Sequence, residues 1–161
     1  MDAKYKALFI GRFQPVHNGH ADALKQILGK EENVLIAVGS AQNGQTSMNP
    51  FSYEERLQML EKALGWLKID QSRYKILPAK DINDDAKWVG HLEQILPCFE
   101  KVYTGSPLTK KLFLADGKYE VCDLKFRVNV SATDIRKLMR EKKSFENLVP
   151  PPVFTILKKL T

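Results

Sequence analysis

Ala7-Leu8-Phe9-Ile10-Gly11-Arg12-Phe13-Gln14-Pro15-Val16-His17-Asn18-Gly19-His20 is the stretch from which the rest of the chain can be read. An apolar run of buried-strand character stops at a glycine. Beyond the second histidine, Ala21, Leu24, Ile27 and Leu28 recur at helical spacing until Gly29. The stretch is therefore a strand-to-helix turn. Gly11 lets the backbone leave the strand without a Cβ, Pro15 fixes φ and removes a donor, and Gly19 permits close approach of another group. The helix starts at about Asn18 to His20 and turns its unpaired N–H groups and positive dipole end toward the loop. Such an end is an anion site, and phosphate is the usual anion. His17 and His20 can lie on one side of the helix start, and Arg12 adds a fixed positive charge. Spacing alone would leave His-x-x-His as a satisfied surface pair. Strand, glycine turn, basic residue and helix start together favour function. Zinc would need more ligands than two histidines and the distant Cys98 and Cys122, so metal ligation is discarded.

A chain of 161 residues with 43% hydrophobic composition suits one domain spanning residues 1–161. The net charge of +6 admits nucleic acid, a membrane surface or small polyanions as partners. Lysines cluster only as the pairs Lys110-Lys111, Lys142-Lys143 and Lys158-Lys159, so no nucleic-acid stripe is expected and phosphate-bearing small molecules fit as well. Two cysteines without a motif suggest a reducing cytoplasm. No apolar run reaches membrane-spanning length, and Met1-Asp2-Ala3-Lys4-Tyr5-Lys6 leads into the first strand without a signal peptide. A soluble cytoplasmic protein is expected.

Strand and helix patterns alternate along the chain. Val34-Leu35-Ile36-Ala37-Val38 is a continuous apolar run of the kind buried in a parallel sheet, and it exits through Gly39-Ser40-Ala41-Gln42. Ligands in open α/β sheets gather at such strand ends. Ser52 and Glu55 form a capping box for a helix striped by Leu57, Leu60, Leu64 and Leu67, with Met59, Ala63 and Trp66 widening the buried face. Tyr74-Lys75-Ile76-Leu77 is a third strand, followed by Pro78 and an acidic loop beginning at Asp81. Trp88, Val89, Leu92, Ile95 and Leu96 mark the next helix, which Pro97 ends. Lys101 to Gly105 is a fourth strand, Pro107 to Phe113 a short helix, and Tyr119 to Cys122 a fifth strand that Phe126-Arg127-Val128 continues in extended form. Ser131-Ala132-Thr133-Asp134-Ile135-Arg136 has a second capping-box pattern with a guanidinium one turn in. A last helix over about 150–161 packs on the domain or on a neighbouring subunit.

Gly11-Arg12-Phe13-Gln14-Pro15-Val16-His17-Asn18-Gly19-His20 resembles the signature of the nucleotidyltransferase superfamily with the His-x-Gly-His motif, in the form of archaeal-type nicotinamide-nucleotide adenylyltransferases. Pantetheine-phosphate adenylyltransferases and cytidylyltransferases open differently, with Gly-Ser-Phe-Asp or Gly-Thr-Phe-Asp. The likeness extends through Pro50-Phe51 and Arg56, Trp88-Val89-Gly90-His91 and the Ser131 to Arg136 element, over roughly residues 5 to 140. One departure is Met48, where the family commonly carries a basic residue.

The resemblance implies a single doubly wound, Rossmann-like nucleotidyltransferase domain of α/β class, with a mainly parallel sheet of about five strands. It implies transfer of AMP from ATP to nicotinamide mononucleotide, giving NAD and pyrophosphate, with Mg2+ carried mainly by ATP. ATP would be bound by Gly11, Phe13, Gln14, His17, Gly19, His20, Ser131, Thr133 and Arg136, and the catalytic set would be His17, His20, Arg12 and Arg136. Ser40, Gln42, Asp81 and Trp88 would take the nicotinamide nucleotide. Composition alone favours packing for Trp88, whereas in the resembled family this Trp stacks on the nicotinamide ring. His91 is read as structural. A homo-oligomer, in that family often a hexamer, is also implied. Three alternatives stay open: a sister transferase using pantetheine phosphate or CTP, a basic domain binding nucleic acid, and a regulatory relative that binds nucleotides without turnover.

Overall fold

Tyr5–Gly11 forms the central strand β1, and its side chains alternate between two cores because successive Cβ atoms point to opposite faces of a sheet. Ala7 and Phe9 enter one core, Leu8 and Ile10 the other. The computed structural model describes residues 4–161. Met1 to Ala3, the start of the segment read as leading into the first strand, lie outside the described residues.

After β1 come α1 (Asn18–Lys30), β2 (Val34–Gly39), α2 (Tyr53–Trp66), β3 (Tyr74–Ala79), α3 (Asp85–Ile95), β4 (Phe99–Tyr103), α4 (Pro107–Asp116), β5 (Glu120–Cys122), α5 (Ala132–Arg140) and α6 (Pro151–Leu160). All strand pairs are parallel in the order β3-β2-β1-β4-β5. Helices α1, α2, α5 and α6 bury their apolar residues on the Phe9 face. Val89 and Leu92 of α3 and Phe113 of α4 cover the Leu8 face. The single α/β domain is thus doubly wound, and strand order reverses between β1 and β4. A crevice opens at the carboxyl ends of the strands there.

Several elements differ from the sequence reading. Trp66 is 48% exposed rather than core. The helical period sets it below Met59, but at the last residue of α2 nothing remains to cover it. Pro78 lies inside β3, which tolerates it because β3 is an edge strand. Strand β4 starts earlier, at Phe99, and Ile95 is exposed while Leu96 turns inward. No strand forms over 126–128. Ser131 caps α5 by accepting from the Asp134 N–H, but only half of a capping box is present, since the aspartate side chain is a methylene shorter than the usual glutamate.

Candidate active site

The crevice is a cleft of about 800 Å3, walled by the loop after β1, the ends of β2 and β4 and the starts of α1, α3, α4 and α5. Gly11, Arg12, Phe13, Gln14, His17, Gly19, His20, Ser131, Thr133 and Arg136 all line it. So do Ser40, Asp81 and Trp88, but Gln42 does not. The Gln42 amide oxygen instead accepts from the Asp81 N–H at 3.2 Å, behind the wall.

His17 and His20 cap the helix that carries them. His17 Nδ1 accepts from the Gly19 N–H at 3.0 Å, and His20 Nδ1 accepts from the His17 N–H at 3.1 Å. This is a capping box built from two imidazoles, whose rings stack with centroids 3.7 Å apart. Glycine is required between them: a Cβ on Gly19 would lie 2.8 Å from the His17 ring. Because each Nδ1 accepts, a neutral ring must carry its proton on Nε2 and can donate from there. Burial depresses the basicity of both, His17 to about 4 and His20 in the same direction, with the neighbouring His17 lowering His20 further. Both are neutral donors at pH 7. Phe13, itself buried, sets an edge-to-face contact against His20 at 4.7 Å.

Positive charge comes from arginines. Arg136 is buried and donates to the Gln14 main-chain oxygen at 2.7 Å and to Thr133 Oγ1 at 3.3 Å. Burial lowers its pKa, and Arg12 and Arg140 nearby lower it further. Among the described residues neither Arg12 nor Arg136 pairs with a carboxylate. An anion that enters meets uncompensated guanidinium groups.

Arg56 is the functional residue that the sequence reading left without a role. It is wholly buried and donates to the main-chain oxygens of Arg12, Gly39, Ser40, Asn43 and Ser52, at 2.8 to 3.2 Å. Phe13 and Ser40, in the loops it holds, have positive φ of 55° and 49°, a conformation costly for residues other than glycine. Its signal was a position three and four residues before the inward-facing Met59 and Leu60. Gln14 is likewise occupied: its amide exchanges two hydrogen bonds with the Phe51 backbone, each 2.9 Å.

On the opposite wall the Ser40 hydroxyl donates to the Asp81 carboxylate. Trp88, half-buried, packs edge-to-face on Phe113 at 5.7 Å while it borders the cleft. His91 lies outside the cleft, its Nε2 3.0 Å from the Lys80 oxygen. Met48 is exposed and also outside, with its neighbours Ser47 and Pro50 lining a separate small pocket with Arg136 and Arg140.

Residues 8–138 match the model of the cytidylyltransferase-like family. A nicotinamide-nucleotide adenylyltransferase of Pyrococcus furiosus is 41% identical over 157 residues, covering 96% of this chain and 84% of the relative. The enzyme of that name from Thermococcus kodakarensis is 39% identical over 156 residues, covering 96% and 83%. The chain belongs to the nicotinamide-nucleotide adenylyltransferase family. A solved structure of a bifunctional NMN adenylyltransferase/ADP ribose pyrophosphatase from Francisella tularensis, complexed with AMP and a manganese ion, matches with a TM-score of 0.80 at 25% identity. The match covers 99% of this chain and 49% of that one, so this chain spans about half of the bifunctional protein.

Among the described residues, no three or more His, Cys, Asp or Glu side chains cluster as a metal site. No described helix is long and apolar enough to cross a membrane. Phe126, Leu108 and Thr109 also line the cleft, and the sequence reading gave them no site role because they belong to no motif.

Proposed function

We propose that this chain transfers the adenylyl group of MgATP to nicotinamide mononucleotide, giving NAD and pyrophosphate. One observation carries the reading: two helix starts suited to phosphate, with His17, His20 and Arg136, share a single cleft with the Ser40, Asp81 and Trp88 wall. An oxygen of the mononucleotide phosphate, already ionised at neutral pH, attacks the α-phosphorus of ATP in line. The bond from that phosphorus to the bridging oxygen breaks, and pyrophosphate leaves with the electron pair. No protein base is needed, and catalysis reduces to holding two anions together and offsetting the charge that develops.

In this mechanism the Nε2–H groups of His17 and His20 donate to the triphosphate, with His20 at the α-phosphate in the transition state. Arg12 and Arg136 neutralise phosphate charge, and Ser131 and Thr133 with the free N–H groups of α5 receive the outer phosphates. The magnesium ion enters as part of the substrate, held through phosphate oxygens. Ser40, Asp81 and Trp88 receive the mononucleotide, the indole facing the pyridinium. The enzyme works as a homo-oligomer, a hexamer by resemblance, in a reducing cytoplasm; its mass in solution tests the assembly.

The decisive assay is pyrophosphate release from ATP against nicotinamide mononucleotide, its acid form, pantetheine phosphate and glycerol phosphate. The mononucleotide should turn over fastest or together with its acid form. Turnover with pantetheine phosphate alone would overturn the reading.

A further inference from the structure

Phe113 is wholly buried in α4 and takes no part in the cleft wall, yet it is the ring against which Trp88 rests, edge-to-face at 5.7 Å with 75° between the planes. Such a contact covers at most one face of the indole. The polar groups of α3 and its entry are otherwise engaged, Asp84 with the Ala86 N–H and His91 with the Lys80 oxygen, and among the described residues none is bonded to the indole N–H. Packing therefore sets the plane of the indole. A half-buried tryptophan without a hydrogen bond to fix it has more than one rotamer within reach, so the ring beneath it decides which is occupied.

Phe113 is itself held from behind. Tyr119 meets it edge-to-face at 5.7 Å and stacks on Phe99 at 4.6 Å, while the Tyr119 hydroxyl and the Lys118 ammonium both donate to the Glu93 carboxylate at 2.8 Å. Glu93 stands on α3, as Trp88 does. The turn that follows α4 is thus fastened to the helix that carries the indole, with Phe113 closed between them.

We propose that Phe113 is a positioning residue for the acceptor end of the cleft, which fixes the indole of Trp88 in the orientation that receives the pyridinium. The inference rests on the reading of Trp88 as a platform and adds what makes that platform rigid. A ring already held in its binding orientation spares the complex the entropy of ordering it, so the support acts on affinity for the mononucleotide rather than on the transfer step. The helices whose starts would take the triphosphate, α1 and α5, pack in the other core, on the Phe9 face of the sheet. ATP binding should not depend on Phe113.

The test pairs Phe113→Leu with Phe99→Leu, which removes a ring of the same cluster that makes no ring contact with Trp88. Both should lower the melting temperature, but only Phe113→Leu should raise the mononucleotide KM, about threefold to tenfold for the loss of one edge-to-face pair, while kcat and the ATP KM hold. Phe113→Met, another apolar side chain of similar bulk, takes its place if the leucine variant does not fold. The chain has two tryptophans, so in a Trp66→Phe background Trp88 is the sole indole and its fluorescence anisotropy decay reports its freedom. Phe113→Leu should enlarge the fast component, and Phe99→Leu should leave it unchanged. A mononucleotide KM that stays put in Phe113→Leu, rises alike in both variants or rises with no change in the anisotropy decay would overturn the assignment. If the unmodified chain makes no NAD, the proposed reaction falls instead. Calorimetric titration of the mononucleotide into the unmodified chain and Phe113→Leu then still decides the role of Phe113, equal affinities refuting it.

Discussion

Arg136 Nη1 donates to the main-chain oxygen of Gln14 at 2.7 Å, joining the helix that follows β5 to the loop that follows β1 across 122 residues of chain. The same guanidinium reaches Thr133 and lines the cleft, so it shapes the loop and faces the cleft at once.

Replacing Arg136 by Lys keeps the charge but removes the planar fork that can serve both partners. We expect kcat/KM for ATP to fall on the order of tenfold to a hundredfold, as for the loss of one charge-assisted pair of donors. The Ser131 cap should survive, leaving the melting temperature only modestly lower. Steady-state kinetics equal to the unmodified chain would show that a point charge suffices.

His20→Ala should depress kcat far more than it raises the ATP KM, because a donor aimed at developing phosphate charge is worth about 3 kcal/mol in the transition state. The variant also leaves the His17 N–H without its cap acceptor, so a denaturation midpoint belongs beside the rate. Unchanged turnover would remove His20 from the mechanism.

Acid should weaken the fold through the histidine pair. Both titrate near 6.5 in an unfolded chain, and His17 falls to about 4 when folded, with His20 lowered too. Between those values the unfolded chain binds more protons than the native one, so stability rises with pH across the window and is lost as pH falls from about 6.5 toward 4. For His17 the full loss is about 3 kcal/mol at ~1.4 kcal/mol per unit. Urea midpoints across the window measure it. His17→Asn keeps a cap acceptor without a titrating ring and should show a shallower acid limb; an identical limb would place the proton uptake elsewhere.

Trp88→Ala separates a platform from a packing residue. A platform predicts a mononucleotide KM raised about tenfold or more, with ATP affinity nearly unchanged, because the pyridinium loses an attraction of order 1 to 2 kcal/mol. Pure packing on Phe113 predicts several kcal/mol of lost stability and parallel losses for both substrates. Melting temperature, ATP dissociation constant and mononucleotide KM on this variant decide the matter.

Much of the fold could be read because neighbours in sequence reported on neighbours in space. The apolar runs at Ala7 and Val34 and the cap at Ser52 each announce an element from within a few residues. His17 and His20 were legible as a pair at a helix start for the same reason, and both line the cleft, although their mutual capping was not legible. What stayed hidden depends on bonds between distant parts of the chain. Phe126 is set in place by Gln26 and Asp22, and Gln42 is turned aside by Asp81, contacts that no local pattern encodes. Trp66 misled because helical periodicity gives direction around an axis but does not say where the covering layer stops.

Arg56 has a consequence beyond tethering. A trans peptide carries its N–H opposite its C=O, so drawing the oxygens of Arg12, Gly39, Ser40 and Asn43 toward one guanidinium turns the N–H groups of Phe13, Ser40, Ala41 and Gly44 away from it. One of these, Ala41, donates to the Ala79 oxygen. The effect is a set of peptide dipoles oriented by a buried cation that is not itself part of the cleft wall. Such a field is in place before the substrates arrive and needs no rearrangement as negative charge moves from one phosphate to the next.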